Sequence, residues 1–225
     1  MIRPIIEPEV LPVESTGAGL PVVASPRLTP DGLRARFKQR LAWSPEPTED
    51  WRKENDPRAA AVLIPLVVRE ARLTVLLTQR ADHLSAHAGQ ISFPGGRHEP
   101  DDENAIATAL REASEEVSLA SDRVEVLGAL PDYLTGTGFR VTPVVGLVHP
   151  PFSVEADTLE VADIFEVPLD FLMNPAHHQV RLLRWEQGER RFFAMSYPRP
   201  GAGGHYFIWG ATAGMLRNLY RFLVA

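Results

Sequence analysis

Residues 93 to 119, FPGGRHEPDDENAIATALREASEEVSL, hold the chain to one local plan. Phe93-Pro94-Gly95-Gly96 is a run that cannot continue a strand, and either glycine lets the backbone turn with φ > 0. Asp101 or Asp102 then offers a side-chain N-cap, and Asp102 and Glu103 place negative charge in the first turn. At about 100° per residue, Ile106, Leu110, Ala113 and Val117 fall within one narrow apolar stripe, the expected core face. The plan is strand, glycine loop and capped amphipathic helix. Its oddity is charge: Glu112, Glu115 and Glu116 project together beside Arg111. Like charges three and four residues apart repel by roughly 0.2–0.5 kcal/mol per pair on an isolated helix, and glutamate near a helix C-terminus opposes the macrodipole. A solvated acidic face is one reading. The other is a platform for a hard divalent cation, which takes oxygen ligands, keeps several waters and is completed by substrate phosphates.

The second half of this segment, Arg111-Glu112-Ala113-Ser114-Glu115-Glu116-Val117-Ser118-Leu119, resembles the REUxEExGU part of the Nudix box, with U an aliphatic residue. Ser118 stands where glycine is usual, and Gly96 lies one residue further from Arg111 than the strict spacing. The longer spacing is similar to that of the coenzyme A pyrophosphatase branch. So is the upstream run Leu76-Leu77-Thr78-Gln79-Arg80, which leads through Gly89 to Phe93-Pro94-Gly95-Gly96. Ala81 and Ser85 depart from that branch's pattern. Further resemblance runs through residues 136–145, Glu160-Val161, Val167-Pro168-Leu169 and residues 208–212, so that it spans about residues 58 to 219.

The resemblance implies an α/β fold, a Nudix-type α/β/α sandwich with a mixed sheet between helices. It also implies hydrolysis of the diphosphate of coenzyme A, or a derivative, to 3′,5′-ADP and 4′-phosphopantetheine or its acyl form, with Mg²⁺ or Mn²⁺. Glu112 and Glu116 are then the primary metal ligands, with the main-chain oxygen of Gly96 as a third. Glu115 is a further ligand or the general base. Arg111 orients the glutamates through charge-assisted bonds, and Asp102 and Glu103 are either outer ligands or helix caps. Arg80 is a candidate for pairing with a phosphate, against the alternative of a structural ion pair. His83, His87, Phe93, Thr135 and Phe139 complete the substrate-binding candidates. Two histidines four apart without a third ligand are weak grounds for zinc, and His177-His178 is expected at the surface. Two other readings compete: a Nudix hydrolase acting on ADP-ribose or NADH, and a binding module that no longer hydrolyses. The upstream signature weighs against the first, and the three glutamates weigh against the second.

Composition sets the outer limits. At 225 residues and 44% hydrophobic, the chain supports one substantial core. The expectation is one domain over 29–225, with the box at 96–119, preceded by a proline-rich arm over 1–28 that is poorly ordered and dispensable for chemistry. Absence of cysteine rules out disulfides and thiol catalysis and suits a reducing compartment. Glu7, Glu9 and Glu14 interrupt any secretory signal, and no run approaches the roughly 20 apolar residues of a membrane helix, so the cytoplasm is expected. A net charge of −6 argues against nucleic acid as a partner. It also makes metal ions the expected source of local positive charge for an anionic small-molecule substrate.

Along the chain, Thr29-Pro30-Asp31 opens a helix through about Leu41, and residues 44–58 form a linker. Residues 59–68 and 73–78 form a hairpin around Glu70-Ala71. Residues 123–130 and 141–148 are strands joined by the Thr135–Gly138 loop. A short strand precedes a helix starting at Pro168. Residues 180–185 and 191–197 make a second hairpin, 206–209 a short strand, and 211–223 a closing helix.

Overall fold

The computed structural model describes residues 7–39, 42–47, 56–84, 87–185, 188–201 and 203–225. The chain enters through strand β1 (Val13–Thr16) and a 3₁₀ turn over Ser25–Leu28, followed by helix α1 (Pro30–Lys38). Thr29 caps α1 by accepting a hydrogen bond from the Gly32 N–H at 3.1 Å, with Pro30 pre-set in the first turn. The expected continuation to Leu41 lies outside the described residues. β1 corrects the picture of a loose arm: it pairs antiparallel with a strand more than 160 residues later.

Strands β2 (Arg58–Val68) and β3 (Leu73–Arg80) form the expected hairpin, closed by the Arg69 N–H on the Arg72 carbonyl at 3.1 Å. Two short strands follow, β4 (Ile91–Ser92) on β3 and β5 (Gly95–Arg97) on β2. Helix α2 (Ala105–Val117) leads to β6 (Val124–Ala129), the two-residue β7 (Tyr133–Leu134) and β8 (Phe139–Val148). β8 runs parallel to β2 from Arg58↔Phe139 to Val67↔Val148. β9 (Val161–Pro168) closes the far side of β3, and the short α3 (Leu169–Leu172) begins directly after Pro168. These eight strands form one mixed sheet. The second hairpin, β10 (Gln179–Trp185) with β11 (Gly188–Pro198), joins β1 and β12 (His205–Trp209) in a separate antiparallel sheet that the sequence did not separate from the first. Helix α4 (Gly210–Val224) ends the chain.

β2 reads as a near-continuous apolar run because both its faces are covered. Ala61, Leu63 and Val67 pack with Ala109, Ala113 and Val117 of α2. Ile64 and Leu66 belong to the larger core with Met195, Ile208, Leu216 and Leu219. α4 is buried nearly all round, since its apolar residues belong to the core that the two sheets share. Glu46, from the expected linker, accepts from Arg217 at 2.7 Å, while its N–H donates to Asn218 at 2.8 Å. Among the described residues no helix is long and apolar enough to cross a membrane.

His177 and His178 are not surface residues of one kind. His177 is half-buried and stacked on Phe171, whereas His178 is 1% exposed and lies edge-on to Tyr220. The His178 Nε2–H donates to the Leu172 carbonyl at 2.7 Å, and its Nδ1 accepts from Arg217 Nη1 at 3.2 Å. Protonating Nδ1 would aim a second N–H at the guanidinium. Burial, ahead of the Arg217 charge, lowers this imidazole to about 4 from 6.5. Between those values the folded chain binds fewer protons than the unfolded one, so stability falls as pH drops through that window. His178→Gln keeps an acceptor for Arg217 and a donor for Leu172. In denaturant titrations at pH 7 and pH 4, the wild type is expected to lose on the order of 2 kcal/mol more than this variant.

Candidate active site

The glycine run is strand where the sequence suggested loop. Pro94 accepts from the Leu63 N–H at 2.9 Å, and Gly95–Arg97 continue as β5 against β2, with Ala61↔Gly96 in register. Both glycines are there for space. A Cβ on Gly95 would lie 2.5 Å from the Ala61 carbonyl oxygen and 2.6 Å from Val62 Cα. A Cβ on Gly96 would lie 2.5 Å from the Glu112 carboxyl carbon. Phe93, expected at the substrate, is 2% exposed in the main core and anchors the run from behind. Its ring takes the apolar side of the bend, which leaves none of it for a ligand.

Helix α2 starts later than expected. Asn104, not Asp101 or Asp102, is the N-cap, accepting from the Ile106 and Ala107 N–H groups at 2.9 and 3.1 Å, and no acidic residue lies in the first turn. The buried stripe is centred on Ala109, Ala113 and Val117, with Thr108 and Glu116 beside it; Ile106 is 37% exposed. The stripe is displaced because Glu116 is drawn inward toward β5. At the exit, Ser118 takes the left-handed conformation (φ 55°), donating to Ser114, while the Leu119 N–H reaches Ala113. This is the turn that glycine makes at less cost.

Asp102 is freed from capping and anchors Arg111. Arg111 Nε donates to Asp102 Oδ1 at 3.0 Å and Nη2 to Oδ2 at 3.1 Å, while Thr108 Oγ1 and the Glu99 N–H add to Oδ2, both at 2.9 Å. The bonds from Arg111 hold the Asp102 carboxyl well below the usual range. From that anchor Arg111 reaches Glu115 at 2.9 Å, Glu112 at 3.1 Å and the Arg97 carbonyl at 3.1 Å. It thus ties the carboxylates of α2 to β5.

The three glutamates differ in environment. Glu115 is 59% exposed at the side chain, Glu112 16% and Glu116 6%. Burial raises Glu112, against the pull of Arg111. Glu116 accepts from the Gly95 N–H at 3.2 Å, with Arg80 Nη1 3.9 Å away. Burial, reinforced by the charges of Glu112 and Glu160, pushes Glu116 up to about 7. Glu160 is a site neighbour that the sequence reading missed. It reaches the site because the loop before β9 docks on the end of α2, the Glu155 and Asp157 N–H groups donating to the Val117 and Glu116 carbonyls at 3.0 and 2.9 Å. The local pattern around Glu160 carries no signal of this, since its neighbours lie more than 40 residues earlier.

Among the described residues no three His, Asp or Glu side chains already stand as a metal cage. Arg111 and the Gly95 N–H hold the glutamates instead. The donor set nevertheless fits a hard divalent cation: carboxylate oxygens of Glu112 and Glu116, and the main chain of Gly96 against Glu112. Glu116, buried and under-neutralised beside a second carboxylate, gains most from such a charge.

The remaining candidates are spread around this platform. Arg80 faces Glu116, and its Nε is buried without a hydrogen-bond partner among the described residues. His83 bonds the Leu159 carbonyl at 3.0 Å, and His87, with φ 60°, bonds Gln90 at 2.9 Å. Thr135 accepts from the Phe139 N–H at 3.0 Å and shapes its loop. The Phe139 ring is engaged by Arg58 and Arg97, whose guanidinium carbons lie 4.1 and 5.5 Å from its centroid.

Residues 57–194 match the NUDIX domain. The chain belongs to the Nudix family. It is 47% identical over 163 residues to the Nudix hydrolase NudL of Citrobacter koseri, covering 72% of this chain and 81% of that one. It is 43% identical over 194 residues to NudL of Salmonella dublin, covering 86% and 94%. Among solved structures it is similar to a MutT/nudix family protein from Enterococcus faecalis (TM-score 0.44, 18% identity, 85% of this chain and 68% of that one). It is also similar to the Nudix hydrolase RenU of M. smegmatis (TM-score 0.45, 23% identity, 54% and 77%). This Nudix hydrolase is therefore an enzyme of pyrophosphate hydrolysis, in a family that generally uses divalent ions such as Mg²⁺ or Mn²⁺.

Three substitutions test the platform. A Glu116 raised to about 7 from 4.5 makes the metal-free protein lose stability as pH rises through that interval. At pH 8, Glu116→Gln should stabilise the metal-free chain by on the order of 2 kcal/mol and erase the rise in Tm that Mg²⁺ gives the wild type, both read by thermal melts. Gly96→Ala should cost at least about tenfold in kcat/KM with little change in Tm, because the Glu112 side chain can swing away. Gly95→Ala meets backbone and should cost about 2–4 kcal/mol.

Proposed function

We propose that this enzyme hydrolyses the diphosphate of coenzyme A or its derivatives to 3′,5′-ADP and 4′-phosphopantetheine or its acyl form, in the cytoplasm. The reading rests on one convergence. Arg80 of the upstream run lies 3.9 Å from Glu116 of the box, and Gly89 of the same run donates its N–H to the Arg80 carbonyl at 3.2 Å. The run that distinguishes this branch thereby borders the carboxylates that define the family.

Glu112, Glu116 and the main-chain oxygen of Gly96 would hold Mg²⁺ or Mn²⁺. When bound, the cation neutralises non-bridging phosphate oxygens and makes water more acidic. The chain's own residues supply the rest. Asp102 fixes Arg111, which sets the orientation of Glu112 and Glu115 without touching substrate. Glu115, the most exposed of the three, is placed either to add a ligand or to take a proton from the attacking water. Arg80, with an uncommitted Nε, is placed to donate to a phosphate oxygen. Water attacks one phosphorus, the bridging P–O bond breaks, and the leaving phosphate carries the displaced charge.

With Mg²⁺ or Mn²⁺, the purified protein is expected to convert coenzyme A to 3′,5′-ADP, followed by product chromatography. Arg80→Ala should lower kcat/KM by about 10–100-fold. Release of AMP from ADP-ribose at a much higher kcat/KM than coenzyme A cleavage would overturn the substrate assignment.

A further inference from the structure

On the opposite side of β3 from Glu116 lies a pocket of about 510 Å³, within the range of small-molecule sites. Gln79 lines it, and Arg80, the next residue along the strand, faces Glu116. Alternate residues of a strand point to opposite faces, so the pocket and the carboxylates are separated by the thickness of one strand near its end. The segment beyond β3 returns at that point, the Arg80 N–H donating to the Gln90 carbonyl at 2.9 Å and Gln79 Nε2 to the Gly89 carbonyl at 3.4 Å.

Among the described residues the lining is amphiphilic, and its one arginine, Arg199, already has partners. Val10, Ile91, Phe207 and Trp209 supply apolar surface, and Gln79 and Gln90 supply amides. Glu7 and Glu9 bring negative charge, and Glu9 pairs with His205. Arg199 is engaged already: Nη2 donates to Gln79 Oε1 at 2.7 Å and lies 3.7 Å from Asp163. Its Nε is buried without a hydrogen-bond partner among the described residues, a donor open to an oxygen acceptor. Tyr206 offers no open ring for a base to stack on, because Phe165 covers one face at 3.5 Å and the Arg199 guanidinium lies 4.4 Å from the ring centroid. The wall formed by Glu7–Val10 is held in place by Arg181 Nη1, which donates to the Glu9 and Leu11 carbonyls, both at 2.6 Å. Residues 7–10 are therefore part of the pocket wall.

We infer that this pocket receives the uncharged, amide-bearing arm of the substrate, with the N-terminal segment as its outer wall, while the nucleotide end lies elsewhere. The inference rests on the coenzyme A reading above. The pantetheine arm carries two amides, a hydroxyl and a pair of methyl groups, which match the glutamines and the apolar wall. A phosphomonoester would meet Glu7 and Glu9 instead.

The test uses the full chain without metal, titrated by calorimetry with pantetheine and, separately, with 3′,5′-ADP. Ala88 lines the mouth and is exposed, so Ala88→Trp fills the pocket without disturbing the core. Wild type is expected to bind pantetheine, and the variant to bind it at least about tenfold more weakly, with 3′,5′-ADP binding changed less than about twofold and KM for coenzyme A raised at least about tenfold. The inference is overturned if wild type does not bind pantetheine, if the variant binds it equally well, or if 3′,5′-ADP is the fragment lost. Failure of wild type to cleave coenzyme A would instead remove the reading beneath it, and the binding result separates the two.

Discussion

Everything at the site depends on how closely the backbone of β5 approaches helix α2. Gly96 leaves no room for a side chain between itself and the Glu112 carboxylate, and Gly95 donates its N–H to Glu116 while pressed against Ala61 and Val62 of β2. Since β2 is packed on both faces, the approach is made from a rigid wall, and the carboxylates of α2 inherit that rigidity. Arg111 completes the clamp by bonding the Arg97 carbonyl and two of the three glutamates from its anchor on Asp102.

The energetic oddity of clustered glutamates is thereby divided among three solutions. Glu115 is solvated and paired, Glu112 is largely withdrawn and paired, and Glu116 is buried, balanced among the described residues by a backbone N–H and by Arg80 at 3.9 Å. The repulsion collects at Glu116, which Glu112 and Glu160 push further toward protonation. An acidic chain with a poorly compensated buried carboxylate at the end of α2 is suited to borrowing positive charge from a cation.

Much of this was legible in the residues. The β2–β3 hairpin, the Thr29 cap, β8 and the closing helix follow from local patterns of apolar residues, proline and turn formers, and the structure has them at nearly the expected bounds. The pairing of Arg111 with Glu115 was also legible, because an Arg–Glu spacing of four on a helix is itself a contact. The misreadings of Phe93 and His178, and the silence on Glu160, share one cause: partners distant in sequence place them, through a core that closes over Phe93, Arg217 against His178, and the loop before β9 docking on α2. Asp102 differs, since Arg111, nine residues along, draws it out of the cap position. The N-terminal segment looked unstructured because a lone edge strand carries no periodicity of its own; its order comes from pairing with β10 and from Arg181.

The sequence by itself determined the kind of chemistry. Three carboxylates and an arginine at helical spacing, behind two glycines, allow an oxygen-donor platform or a solvated acidic face, and the resemblance of the motif to the Nudix box favours the first. Tertiary structure decided what each group is worth. Burial separates Glu116 from Glu115, Gln79 lines the pocket while its neighbour Arg80 faces the carboxylates, and residues 7–10 become a wall. Desolvation and long-range packing set those outcomes, and neither is encoded in the spacing of neighbours along the chain.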